Sequence, residues 1–113
     1  MKIAVSSVDK SIEGNVSDVF GRCPYFIIAE IQDKKIEKTE VVKNEIADQT
    51  SGAGILTAQL MAEKNVNAVI TGNVGPRALD VLKQFNIEVY LGKGTTKDVL
   101  QKFIDGKLKK IER

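Results

Sequence analysis

The chain reads as an α/β domain. Its predicted core is a five-stranded mixed sheet of order 3-2-1-4-5, made by three antiparallel strands followed by αβαβα, with helices on its faces. Two observations predict this. Residues 1–42 hold three short segments rich in β-branched or aromatic side chains, and from residue 53 onward helical and strand patterns alternate. Length and composition agree. A chain of 113 residues, 42% hydrophobic and 28% charged, makes one ordinary domain, with a folded surface expected near ~6,100 Å².

Ile3-Ala4-Val5 is the first strand, short and apolar enough for burial on both faces. Residues 8–18 are polar and irregular and lead to Phe20-Gly21-Arg22-Cys23-Pro24. Tyr25 to Ile31 forms the second strand, Gln32-Asp33-Lys34-Lys35 a polar turn, and Ile36 to Val42 the third strand. The third strand mixes Ile36, Val41 and Val42 with Glu37, Lys38 and Glu40. Such charges suit a sheet edge, where they discourage pairing with other chains.

The second half is predicted as helix 53–64, strand Ala68–Thr71, helix 76–85, strand Glu88–Leu91 and helix 96–105, joined by right-handed crossovers. Pro76 suits a first helical turn, and Ala78, Leu82 and Phe85 share one helix face. Thr95 with Asp98 resembles a capping box, and Gly106 suits the residue after a helix end. Helix 53–64 has one apolar stripe of Ala53, Leu56 and Leu60 and a second of Ile55, Ala58 and Ala62, nearly opposite. It is therefore either a central helix flanked by its neighbours or the face of a homodimer.

Composition excludes several chemistries. With no histidine, catalytic triads, Cys-His pairs and imidazole metal sites are impossible. A lone cysteine, Cys23, cannot close an internal disulfide or build a four-cysteine site. Net charge is +2, too small to point to nucleic acid, although residues 93–113 carry net +4 and read as a solvated terminal helix and tail. No apolar run reaches the roughly 20 residues of a membrane span. The start turns polar at Ser6-Ser7, too soon for a signal peptide, so the chain reads as soluble and cytoplasmic.

The binding chemistry concentrates at three glycine-marked turns: Ser51-Gly52-Ala53-Gly54, Gly72-Asn73-Val74-Gly75-Pro76 and Gly92-Lys93-Gly94-Thr95-Thr96. In the predicted topology all three lie near the carboxyl ends of the parallel strands, where open α/β sheets bind ligands. Each opens a helix, with free N–H groups and a partial positive charge, so together they are expected to form an anion cradle. Ser6 and Ser7 end the first strand at this edge. The turns are neither a dinucleotide fingerprint, since Thr57 replaces its third glycine, nor a P-loop. Cys23, beside Arg22, is read either as a thiolate able to ligate a soft metal or as a small packing residue at a strand start. An enzyme is the weaker reading. The first and fourth strands offer no acid for a two-metal site, and no nucleophile stands with a base.

At Val19-Phe20-Gly21-Arg22-Cys23-Pro24-Tyr25-Phe26, at Ser51-Gly52-Ala53-Gly54 and at Thr71-Gly72-Asn73-Val74-Gly75 the sequence resembles the dinitrogenase iron-molybdenum cofactor biosynthesis family, of the NifX type that also forms the C-terminal part of NifB. The resemblance spans nearly the whole chain. It implies a ribonuclease H-like three-layer α/β/α fold. It also implies carriage of an iron-molybdenum cofactor or iron–sulfur precursor, with cofactor-assembly proteins as partners; from the turns and strand end read above, Ser6, Ser7, Gly21, Arg22, Ser51, Gly52, Gly54, Asn73, Gly75 and Thr95 are expected around it, with Cys23 the soft ligand left for the metal. Nitrogenase-linked members commonly carry a histidine before the Phe-Gly pair, where this chain has Val19. Two readings of function follow: a non-enzymatic carrier of an anionic metal cluster, or a metal-free module that binds a small anion or a partner protein.

Overall fold

The computed structural model describes residues 1–48 and 51–111; Glu112 and Arg113 of the basic tail lie outside them. The strands are β1 (Lys2–Ser7), β2 (Tyr25–Gln32), β3 (Lys35–Lys43), β4 (Ala68–Thr71), β5 (Glu88–Leu91) and β6 (Lys109–Lys110). The helices are α1 (Ala53–Glu63), α2 (Pro76–Gln84) and α3 (Thr96–Ile104), with a 3₁₀ turn at Glu45–Asp48. Sheet order is β3-β2-β1-β4-β5-β6, with β4 parallel to β1 and β5 and the remaining pairs antiparallel. The fold class and the 3-2-1-4-5 order are as expected. The folded surface is 6436 Å².

Alternation along the central strands sorts side chains to two layers. Ala4, Phe26, Ile28, Val69 and Val89 pack with Ala58 and Met61 of α1 and Ala78, Leu79 and Leu82 of α2. Ile3, Val5, Ala29, Ala68 and Ile70 pack with Val99 and Leu100 of α3. Period-two strands between helices on both faces make a three-layer α/β/α domain. Within the chain α1 packs on α2 and also on the 3₁₀ turn. Its fully buried residues are Thr57, Ala58 and Met61, while Leu56 stays exposed.

The sixth strand corrects the expectation of a merely solvated tail. After Gly106, at φ 72°, the chain turns back along β5, pairing Lys109 with Leu91 and Lys110 with Tyr90. Lys110 Nζ lies 2.9 Å from Glu88 Oε2, and this contact, ahead of the Tyr90 hydroxyl, holds the Glu88 carboxyl below the usual range. Two adjacent lysines carry no strand periodicity, so only the neighbouring strand makes them one. No described helix is long and apolar enough to cross a membrane.

The other edge, β3, is exposed along its length except at Val42. Glu37, Lys38 and Glu40 stand between its exposed Ile36 and Val41, and such charges discourage a second chain from pairing at the edge. Replacing Glu37, Lys38 and Glu40 together with valine is expected to give concentration-dependent association by size-exclusion chromatography. A triple variant that stays as monodisperse as the parent refutes this role for the charges.

Candidate functional site

The turn before β2 is built by burial. Phe20 is buried against Phe26, ring centroids 5.6 Å apart, which pulls Gly21 down onto the start of α1. A Cβ on Gly21 would sit 2.7 Å from the backbone nitrogen of Gly54, so only glycine allows this approach. Thr57 Oγ1 donates to the Gly21 carbonyl at 3.3 Å, and Asn44 Nδ2 donates to the carbonyls of Gly21 (3.2 Å) and Cys23 (2.9 Å). On the far side of Gly54, a Cβ would meet that of Ala78 at 3.2 Å, so small residues also bring α1 and α2 together.

These contacts frame a cavity of about 490 Å³. It is lined by residues 18–22, by 52–55 at the start of α1 and by 73–78 at the start of α2. Neither helix has a side-chain N-cap: Gly52 (φ 73°) and Gly75 occupy those positions. The first N–H groups of α1, and those after Pro76 in α2, therefore have no intrahelical acceptor and no bond from their own cap side chain, and the positive dipole ends of both helices lie at one cavity. Arg22 and Arg77 are the two cationic residues of its lining. Arg22 also donates from Nη1 to the Ala47 carbonyl at 2.9 Å, which holds it across the turn.

Of the residues expected in the site, Gly21, Arg22, Gly52, Gly54, Asn73 and Gly75 line this cavity and Ser6, Ser7, Ser51 and Thr95 do not. Ser6 and Ser7 are fully buried. Ser6 Oγ lies 2.8 Å from Thr71 Oγ1 and 3.1 Å from the Ser17 carbonyl, and Ser7 Oγ donates to the Asp9 carbonyl at 2.7 Å. They fasten the 8–18 loop to the sheet. Ser51 is exposed.

The third glycine turn does not join the cradle, for a clear reason. The 8–18 loop crosses to α3 and supplies the acceptors itself: Thr96 N–H donates to the Gly14 carbonyl and Lys97 N–H to that of Ile12, both at 2.9 Å. Thr95 Oγ1 takes the Asp98 N–H at 3.1 Å, as the capping pattern predicts. The start of α3 is closed by its own chain.

Cys23 does not line the cavity. It is fully buried, and its thiol donates to the Phe20 carbonyl at 3.3 Å. Burial pushes its pKa up to about 12, against a smaller opposing effect from the Asn44 side chain. Burial thus works against the thiolate form, one of the two readings of this residue. No group of three or more metal-ligating side chains occurs among the described residues.

Arg77 and Asn44 are not singled out by the sequence reading. For Arg77 a signal exists, because a cation in the first turn of a helix opposes the dipole. Asn44, 3% exposed, carries only the local signal of an Asx turn, its Oδ1 accepting the Ile46 N–H at 3.2 Å; its bonds to the Gly21 and Cys23 carbonyls span more than twenty residues and leave none.

Residues 1–106 match the family described as dinitrogenase iron-molybdenum cofactor. The chain belongs to this family. It is 37% identical to the Methanocaldococcus jannaschii protein MJ0580, over 99% of this chain and 97% of that one. Among solved structures, the apo form of the orange protein from Desulfovibrio gigas superposes with a TM-score of 0.90 at 29% identity, covering 97% of this chain and 92% of that one. The Thermotoga protein TM1290 superposes with a TM-score of 0.82 at 34% identity, covering 99% and 97%. These likenesses extend over the whole dinitrogenase iron-molybdenum cofactor family domain, including the cavity-forming turns.

Two outcomes test the geometry. Gly21→Ala forces a Cβ against backbone and is expected to destabilise the fold by about 1–3 kcal/mol, whereas Gly75→Ala, with nothing within 4 Å of the new Cβ, is expected to leave the urea midpoint unchanged. Equal midpoints for both variants would mean that the turn does not rest on α1. Because the Cys23 pKa is raised to about 12 from 9.0, the folded protein keeps a proton that the unfolded chain releases above pH 9.0. This stabilisation is complete below pH 9.0 and lost as pH rises toward 12, with a slope of about 1.4 kcal/mol per pH unit relative to Cys23→Ser. Parallel pH profiles for the two proteins would show an ordinary thiol.

Proposed function

We propose that the chain is a cytoplasmic binding protein that carries a preassembled anionic metal–sulfur cofactor, of the iron-molybdenum or iron–sulfur precursor type, rather than a catalyst. The observation that carries this reading is the convergence of two uncapped helix N-termini, Arg22 and Arg77 on one cavity. Family membership supplies the class of ligand. The wall offers no thiol or imidazole, and Asp18 is its one carboxylate. The donor set does not suit a cluster ligated by the chain. It suits a cluster that brings its own sulfide shell and is held by hydrogen bonds and charge. Partners that hand over or receive such a cofactor belong to the same reading.

Anaerobic loading with ferrous iron, sulfide and molybdate, followed by desalting, metal analysis and absorption spectra, tests this. The wild type is expected to retain metal. Arg22→Gln and Arg77→Gln are each expected to weaken retention by about tenfold, the order of one lost charge-assisted hydrogen bond. Cys23→Ser is expected to retain it. Loss of metal in Cys23→Ser, with both arginine variants unaffected, overturns the noncovalent hold in favour of a thiolate ligand. If no metal is retained while molybdate or sulfate shifts the amides of residues 53–55 and 77–78, the metal-free anion module is the function.

A further inference from the structure

A second cavity, of about 360 Å³, shares no residue with the candidate site. It lies at the carboxyl ends of β4 and β5, where α3 and β6 flank them. Its wall is Gly72, Leu91, Gly92 and Leu108 together with Lys93, Lys102, Lys107 and Lys109. No acidic side chain lines it. Among the described residues none of these four lysines is in an ion pair, while the adjacent Lys110 is held by Glu88. The charge is segregated here along the chain as well, since residues 93–113 carry net +4 and the remainder net −2.

Local structural reasons cover only part of this. Lys102 near the end of α3 complements the helix dipole, and Lys109 on a two-residue edge strand discourages further pairing. Neither reason brings four exposed lysines to one concavity that no acidic side chain lines. A bound polyanion would supply the counter-charge. The chemistry of the donors narrows the class. The arginine fork matches carboxylate and phosphate alike, and the wall holds no arginine, so recognition here rests on lysine point charges. Lysine ammoniums are rotatable point charges that suit the tetrahedral oxygens of phosphate. The volume falls at the small end of small-molecule sites, room for a short phosphate chain rather than a peptide or a duplex.

We propose that the groove between β5, β6 and the end of α3 binds a small polyphosphate, free or as a phosphate ester, through Lys93, Lys102, Lys107 and Lys109. This site is independent of the cofactor cavity. Titration of the ¹⁵N-labelled chain with tripolyphosphate is expected to shift the amides of residues 72, 91–93, 102 and 107–109, with affinity falling as salt is added. Single Lys→Gln changes at the four positions are expected to weaken binding by about two- to fivefold each, the scale of one exposed charge contact. The triple variant Lys102→Gln, Lys107→Gln, Lys109→Gln is expected to lose it. A triple variant with the same charge change at the opposite sheet edge, Lys34→Gln, Lys35→Gln, Lys43→Gln, is expected to bind as the parent does. A nucleoside triphosphate in place of tripolyphosphate distinguishes the sources. Equal affinity assigns recognition to the phosphate chain alone, and tighter binding with added shifts at Leu91 and Leu108 assigns it to an ester. Equal weakening by both triple variants, shifts confined to residues 18–22, 52–55 and 73–78, or no saturable binding overturns the proposal.

Discussion

The backbone-to-backbone approach of Gly21 to Gly54 is the constraint on which the site depends. One atom added at Gly21 would lie 2.7 Å from the Gly54 nitrogen, and one added at Gly54 would lie 3.2 Å from Ala78 Cβ. Three segments far apart in sequence, the turn before β2 and the starts of α1 and α2, therefore meet around two glycines and an alanine. Topology makes the arrangement electrostatically unfavourable by itself. α1 and α2 both run against the parallel strands, so their positive ends lie side by side, and two arginines stand in the same wall. Small-residue packing and the bonds from Asn44 and Thr57 hold them there. An anion in the cavity relieves the repulsion, which is why the geometry reads as a binding site and not as a tight turn alone.

The contrast with α3 separates a helix start that can bind from one that cannot. All three helices begin after glycine-marked turns, and by composition alone the three are equivalent. At α3 the carbonyls of Gly14 and Ile12 and the Thr95 hydroxyl take the donors. The 8–18 loop that provides them is fixed at its other end by Ser6, Ser7 and the Ser17 carbonyl, which accepts the Gly72 N–H at 3.0 Å. Polar residues expected to face a ligand thus serve to close one helix start while leaving two open. A helix dipole satisfied from within contributes to stability; one left open is available for a ligand.

How much of this was legible follows from which contacts are local. Strand and helix positions follow from β-branched, aromatic and apolar runs and from helical spacing, and Ala68–Thr71 and Glu88–Leu91 match residue for residue. The capping role of Thr95 and the turn at Gly106 are equally local. The two-residue β6 is not, because its strand character is lent by β5. The fate of Cys23 is not either. Its neighbour Arg22 favours a thiolate by sequence alone, but Phe20 packing on Phe26 helps bury Cys23, and that burial outweighs the lowering effect of Asn44, which reaches the turn from beyond β3. Convergence of glycine turns had to be inferred from topology, and topology places turns at an edge without saying which loop crosses them.

A cavity whose wall has cations and backbone donors but no thiol or imidazole sets how it can handle a cluster. Coordination by a cysteine or histidine of the chain would make release a ligand exchange at the metal. Retention by hydrogen bonds and charge makes release a desolvation and diffusion step, governed by how strongly the site outcompetes water and salt. The buried Cys23 fits the second arrangement. With its proton held and its sulfur directed to the Phe20 carbonyl, it supports the turn that carries Arg22 without competing for the metal. Under the carrier reading, the absence of chain ligands is then a property suited to transfer. The protein holds the cluster's outer surface and leaves its metals unbonded to the chain, so a partner that presents stronger ligands can take it without first breaking a bond to this protein.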